Sequence, residues 1–443
     1  MCKTLKAHCP KLFELMDALP DKRQRSDYSM SEIITGCIAM YLLKETTRNA
    51  FNNERSEEFF QDNYLKIFKK RLPHMDTVDR VITQLSCEEP EGIKSAFVSA
   101  LIEQRVFRRF RLLGKYYPIA VDGTGVNSYK ENNPEWNLTS KKSKNGVITH
   151  YSHVVEAKLV TPIGMSVSVA SEWVTNETRD STDTTYNKQD CEQNAFGRLA
   201  KDIKTEYPRL PVCILADGLY PNKTFMQICQ DNDWAYIVVL KDDSLKLLQE
   251  AIADVENKDR HKLDCDIITD NRRTHINRKY EWIAVPLTHA VHTVYWLSCT
   301  ETITRRDKNG KTLPAEQPTR FVNLTNLKVD KDNVRHISEA GRMRWKIENE
   351  GFNEQKNGGY NLGHKFSRKS FTGYKNYYQC MQIAHIINQL VEKSAEIAGL
   401  LATNGRLTIK HLWTQLRAWF TSRIIDITDF ESNKRTQIRL AAG

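Results

Sequence analysis

The chain lacks any Cys-x-x-Cys pair and any short cluster of Cys and His, although ten cysteines and twelve histidines are scattered through its 443 residues. That excludes a zinc knuckle and gives no disulfide framework, so the cysteines read as reduced intracellular thiols, mostly small core residues. No uncharged apolar run approaches the roughly 20 residues a membrane span needs. The opening MCKTLKAHCPKLFELMDALPDK is charged throughout, unlike a signal peptide, so neither secretion nor membrane insertion is expected. No internal repeat or low-complexity stretch occurs. With 40% hydrophobic and 9% aromatic residues the composition is that of a folding chain, and its length predicts two or three compact units.

What the chain has is surplus positive charge. Lys and Arg number 65 against 55 Asp and Glu, a net +10. From His336 to Gly443 the counts are 16 and 9, so +7 of the surplus lies in the last quarter. Lys and Arg bind phosphates by releasing counterions, which makes a polyanion the economical partner; charge alone leaves a solvated basic face equally open. Smaller clusters repeat the pattern: Arg105, Arg108, Arg109 and Arg111, then Lys141, Lys142 and Lys144, then Lys365, Arg368, Lys369 and Lys375. Phe107, Phe110, Phe366, Phe371 and Tyr374 are interleaved with them and either stack on bases or pack as core.

Residues 1–112 alternate helical stretches with polar breaks and predict an all-helical unit. Within it LPHMDTVDRVITQL reads as a helix capped by Asp76 or Thr77, either the second helix of a DNA-reading pair or a packing helix of a bundle. Over 113–245 the segments YYPIAVDGTGV, VITHYSHVVEAKLVT and IGMSVSVASEWVT read as three strands, followed by helix, strand, helix and strand. This predicts an α/β fold, a mixed sheet flanked by helices. Residues 246–333 are polar and β-leaning and read as an inserted β unit with a turn at Asn309-Gly310. Helices resume over 334–400 and in a C-terminal region, 401–443.

Two apolar strands end alike, IAVDGTG and CILADGLY, each placing an Asp and then a Gly where the strand is expected to stop. Functional groups gather at the carboxyl ends of strands in open α/β sheets, and a following Gly lets a ligand approach the backbone. Either Asp122 or Asp217 alone is an ordinary turn residue; the matched pair is not. In RMRWKIENEGFNEQK, Glu348 follows Arg344 by four residues, on one face of a helix, with Glu350 about 200° away on the ideal wheel. Three carboxylates on two strand ends and a later helix are what two-metal phosphoryl transfer requires.

Together IAVDGTG, ILADGLY and RWKIENEGF resemble the DDE transposases of bacterial insertion sequences, IS4-like superfamily, over roughly residues 70–395. The spacings of 95 and 131 residues, the β-rich insertion before the Glu and the segment LPHMDTVDRV belong to the same likeness. It implies an RNase H-like catalytic core split into 113–245 and 334–400, and a DNA-binding role for the helical unit 1–112. It implies that Asp122, Asp217 and Glu348 hold two Mg²⁺ ions, replaceable by Mn²⁺, and that the chain cuts transposon ends and joins them to target DNA. The implied partners are double-stranded DNA, as terminal inverted repeats and target, and a second copy in a homodimer on DNA, with no membrane; the implied location is cytoplasmic and nucleoid-associated. Arg344, Lys356, Lys141, Lys142, Arg108, Arg109, Lys365 and Arg368 are expected on DNA phosphates. The family's Tyr three before the Arg and Lys seven after the Glu are here Gly341 and Gln355, with Lys356 one position further on. A transposase-derived DNA binder without catalysis and a stand-alone metal-dependent nuclease are the alternatives.

The remaining motifs point elsewhere. The GTG at 123–125 and NGGY at 357–360 lack phosphate-loop spacing and read as turns. His150 and His153, three apart on a strand, face opposite sides and so do not share a metal. His385, among isoleucines, reads as a satisfied core histidine. Glu172 and Glu177 are either auxiliary acids or surface charge, and the helix with Trp413, Leu416 and Phe420 packs by default as core rather than against a partner.

Overall fold

The structure is a computed structural model and describes residues 9, 11–131, 133, 136, 138–175, 191–269, 273–307, 309–426 and 438–441. The elements in chain order are α1 Leu12–Asp17, α2 Met30–Leu42, α3 Arg48–Arg55, α4 Phe60–Phe68, α5 Met75–Ile82, α6 Glu88–Glu103, β1 Tyr117–Tyr129, β2 Thr139–Lys142, β3 Ile148–Val160 and β4 Ser166–Val174. Then come α7 Glu192–Glu206, β5 Val212–Ala216, α8 Lys223–Asp231, β6 Ala235–Val239, α9 Lys246–Asp254, β7 Arg260–Thr269, β8 Thr274–Ile283, β9 Leu287–His289, β10 His292–Arg305 and β11 Thr319–Thr325. The chain closes with α10 Val334–Arg342, a 3-10 turn Met343–Trp345, a π-helix Ile347–Asn353, α11 Glu354–Asn357, α12 Phe371–Glu392, α13 Ala395–Thr403 and α14 Ile409–Ser422. It is a mixed α/β protein with a mixed sheet and flanking helices.

Two compact units share the chain, each made of discontinuous segments: residues 1–109, 123–195 and 348–443 in the first, 110–122 and 196–347 in the second. Strand β1 runs from the second into the first.

In the first unit α2 begins with a capping box, Ser29 Oγ accepting from Glu32 N while the Glu32 carboxylate accepts from Ser29 N. Every residue of α2 is buried, as is most of α12, and the two pack together as interior helices. Helix α5 is capped by His74, whose Nδ1 accepts from Asp76 N at 3.3 Å, and not by Asp76 or Thr77. Its Met75, Val78, Val81 and Ile82 pack it against α2, α3 and α12. Phe107, Phe110, Phe366 and Tyr374, open between base stacking and packing in the sequence, are buried.

The β3–β4 hairpin lies on α12 through a buried polar network. Glu156 accepts from Ser168 Oγ at 2.7 Å and Tyr378 Oη at 2.8 Å, and fully buried Lys158 donates to Gln382 Oε1 at 3.1 Å. Burial pulls the Lys158 amine down to about 8, against the attraction of Glu156. His385 lies between Gln355 and Gln389, and burial holds it well below the usual histidine range, a neutral core residue as its sequence context predicts.

The second unit is built on one sheet. The start of β1 pairs in parallel with β5, β5 with β6 in parallel, and β6 continues antiparallel through β11, β10, β8 and β7, with β9 on β10. All five residues of β5 are buried, as a central parallel strand requires. Segment 246–333 carries β7 to β11, and its last strand, β11, pairs directly with β6, Leu324 opposite Val238, so the insertion extends the core sheet. It also opens with a helix, α9, where a β-leaning segment was expected; Leu248 and Ile252 form its buried stripe. The Asn309-Gly310 turn is present, with Asp307 O accepting from Gly310 N.

No helix among the described residues is long and apolar enough to cross a membrane. The described cysteines are free thiols, and Cys9, Cys37, Cys213, Cys229, Cys299 and Cys380 are buried.

Candidate active site

Asp122 and Asp217 meet through strand register. In the second unit β1 pairs with β5 from Tyr117 opposite Val212 to Ala120 opposite Leu215, a constant offset of 95. Continued two positions past the last of these pairs, the same offset runs from Asp122 to Asp217, so the spacing read in the sequence equals the offset of the sheet register. Adjacent strands lie roughly 4.8 Å apart, which brings both carboxylates to one end of a parallel pair. The two strands do not end alike, however. β5 stops at Ala216, directly before Asp217, whereas β1 runs on to Tyr129, so Asp122 and the GTG at 123–125 lie inside a strand and not in a turn.

Each carboxylate has a cation beside it. Arg344 Nη1 is 3.3 Å from Asp122 Oδ2, and the guanidinium is buried. Arg344 comes from the 3-10 turn after α10, an element that packs on β5. Asp217 Oδ1 accepts from Leu219 N at 2.8 Å, and Lys241 Nζ stands 3.8 Å from Oδ2. Lys241 is absent from the sequence reading; its signal was its place just past the carboxyl end of β6, the strand next to β5.

Glu348 follows Arg344 by four residues but not along an ideal α-helix. The chain tightens to 3-10 over Met343–Trp345 and widens to π over Ile347–Asn353, so the wheel angles used for Glu348 and Glu350 do not apply. Such π segments recur at functional sites. In the first unit Gln389 Nε2 donates to the Glu350 carbonyl at 3.1 Å, binding this segment to α12.

Also in the first unit, Lys356 Nζ donates to Thr124 Oγ1 at 2.8 Å, and burial lowers the pKa of its amine. Thr124 is two residues past Asp122 on β1, hence on the same strand face. The opposite face, at Gly123, carries a pair of His153 Nε2 and Glu192 Oε1, 3.0 Å apart; the sequence had singled out only the histidine. A Cβ on Gly123 would lie 2.4 Å from His153 Nε2 and 2.5 Å from Glu192 Oε1, so any larger residue there has to displace this pair. His150, in contrast, pairs with Ser140 Oγ at 2.8 Å, consistent with two histidines facing apart.

Packing accounts for the residues at 341 and 355, where the resemblance implies Tyr and Lys. A Cβ on Gly341 would lie 3.0 Å from the amide of buried Asn323, leaving no room for Tyr. Gln355 is fully buried and donates to Gln382 Oε1 at 2.7 Å, the oxygen that buried Lys158 already reaches, so a second ammonium there would be stranded.

The other expected phosphate contacts are spread over the first unit. Lys141 and Lys142 are exposed on β2, Arg108 and Arg109 on a 3-10 turn, and Arg368 on the loop before α12. Arg109 donates to the carbonyl of Ala441, and Lys365 lies 4.0 Å over the Tyr129 ring at the far end of β1. Glu172 lies on β4; Glu177 is outside the described residues. Trp413 and Phe420 are buried, the packing role expected of α14.

Among the described residues no group of three or more His, Cys, Asp or Glu stands together as a metal cage. The donor chemistry of Asp122 and Asp217 nonetheless suits a hard cation: two carboxylates just past the paired stretch of neighbouring parallel strands, each already drawing a positive side chain. The chain matches no family model and no curated protein in comparisons with known sequences.

Proposed function

We propose that the chain is a DDE transposase with an RNase H-like core, acting as a homodimer on DNA in the cytoplasm. The observation that carries this reading is the offset of 95 that Asp122 and Asp217 share with the β1–β5 register, with Arg344, four residues before Glu348, on Asp122. In this reading Asp122, Asp217 and Glu348 hold Mg²⁺, or Mn²⁺ in its place. The chemistry that bound Mg²⁺ supplies at such carboxylates is activation of an attacking hydroxyl and stabilisation of the leaving oxygen.

The side chains account for the rest. Arg344 offsets negative charge at Asp122, and its planar fork suits a phosphate oxygen when DNA is bound. Lys356, held on the Asp122 face of β1 by Thr124, supplies the basic group that the signature otherwise lacks at Gln355. Water attacks phosphorus at the element's end, the bond to the 3′-oxygen breaks and that oxygen leaves as a 3′-hydroxyl. The hydroxyl then attacks a target phosphodiester in line, breaking one P–O bond as it forms another, with no covalent protein intermediate and no organic cofactor. Two ends need two sites, hence the homodimer.

The test is incubation of the protein and of Glu348→Ala with DNA carrying its gene's flanks, with and without Mg²⁺, mapping nicks and joined strands. Metal-dependent cutting and joining, lost in the variant, is the expected result. Cutting without joining would make it a nuclease, binding without cutting in Mg²⁺ or Mn²⁺ a DNA binder, and cutting by the variant would remove Glu348 from the site.

A further inference from the structure

We propose that the β2–β3 ribbon is a duplex-DNA docking element that lays its lysines along phosphates and its tip against a groove. This deepens the transposase reading and rests on it only for the identity of the partner.

The ribbon is ordered without being buried. Residues 140–149 are all exposed, because β4 reaches along β3 only as far as His153. Yet the tip is a closed turn. Ser143 N donates to Val147 O at 2.8 Å, Gly146 N to Ser143 O at 3.0 Å and Val147 N to Ser143 Oγ at 3.1 Å. Gly146 takes the left-handed conformation, φ 81°, that such a hairpin turn demands. Below it the strands are in register, Lys142 opposite Ile148 and Lys141 opposite Thr149, with Ser140 bonded to His150. Local turn chemistry therefore fixes a shape that packing against the unit does not require.

Its chemistry is one-sided. No Asp or Glu occurs between Glu135 and Glu156, while Lys141, Lys142 and Lys144 all fall there. A solvated face normally mixes both signs. Lys141 and Lys142 also point to opposite faces of the ribbon, as phosphates on the two walls of a groove require. At the tip Val147 and Ile148 are 62% and 51% exposed, two β-branched apolar side chains framed by lysines. The major groove, roughly 12 Å wide, admits a two-stranded ribbon, and apolar side chains there contact thymine methyls.

The experiment measures duplex affinity of the full chain against salt for wild type, for Lys141→Ala/Lys142→Ala/Lys144→Ala, and for Val147→Ser/Ile148→Ser. Each lost phosphate contact lowers the log–log salt slope by about 0.9, so the lysine variant is expected to lose roughly 2 to 3 units of slope. The tip variant is expected to keep the slope and to bind roughly tenfold more weakly, the loss of two apolar contacts. All five side chains are exposed, so both variants should melt with wild type. An unchanged slope in the lysine variant would overturn the proposal and leave the transposase reading intact, since end cutting is scored separately. Loss of self-association with DNA binding intact would overturn it by assigning the ribbon to a second copy. A wild-type chain that binds no duplex would overturn both.

Discussion

Gly123→Ala tests the close packing behind Asp122. The added methyl would sit 2.4 Å from His153 Nε2 and 2.5 Å from Glu192 Oε1, against ordinary contact beginning near 3.4 Å, so about 1 Å must be yielded. Neither partner yields easily: the His153 and Glu192 side chains are 13% and 26% exposed and paired with each other. Overpacking of this kind costs about 1–3 kcal/mol, a fall in melting temperature of roughly 2–12 °C at about 2–4 °C per kcal/mol. If β1 shifts instead, Asp122 moves with it, and a misplacement of about 1 Å costs on the order of 100-fold in rate. The assay is a double-mutant cycle followed by circular dichroism and DNA nicking. Gly123→Ala should be costly in the wild-type background and cost below about 0.5 kcal/mol in His153→Ala/Glu192→Ala, where the obstruction is gone. An equal cost in both backgrounds would refute the packing argument.

Other side chains give further expectations. Lys158 titrates at about 8 in the folded chain, lowered by burial, and at its ordinary 10.5 when unfolded. Between those values the unfolded chain binds more protons, so its contribution to stability rises with pH across that window and is constant below about 8. Urea midpoints of wild type minus Lys158→Met, taken at several pH values, isolate that slope, and a flat difference would contradict it. Removing Glu301, whose carboxylate accepts from Arg342 and Arg278 at 2.7 Å, takes away the carboxylate paired with Arg342 and leaves Arg278 with Glu339 alone. Glu301→Ala should cost about 3–5 kcal/mol by denaturant midpoint, and a loss below about 1 kcal/mol would mean that the pair is not buried in effect. Gln389→Ala frees the Glu350 carbonyl of the π-helix, and hydrogen exchange should quicken over 350–355 while α2 stays protected.

Much of the fold was legible because strands and helices carry their own periodicity. β1, β3, β4, β5 and β6 are β-branched runs bounded by Gly, Pro and Asn, and α12 and α14 show helical spacing. What was missed depends on pairing at a distance. Nothing local in β11 says that it joins β6, so the sequence shows a β-rich insertion but not its place in the core sheet. β2 is too polar and short to read as a strand, although Asn145-Gly146 marks its turn. The His74 cap was hidden behind the better capping residues Asp76 and Thr77. At the site the two Asp were legible because each follows an apolar β-branched run and precedes a Gly, although β1 runs on past Asp122, while the π-helix was not, since spacing of four fits either helix. Lys241 and the His153–Glu192 pair reach the Asp-bearing strands only through folding.

The claim that Asp217 holds a metal for phosphoryl transfer is tested most directly by Asp217→Cys. A thiolate is a softer ligand than a carboxylate, poor for Mg²⁺ and better for Mn²⁺. The account predicts that end cutting by this variant is lost with Mg²⁺ and returns with Mn²⁺; undiminished cutting with Mg²⁺ would contradict it.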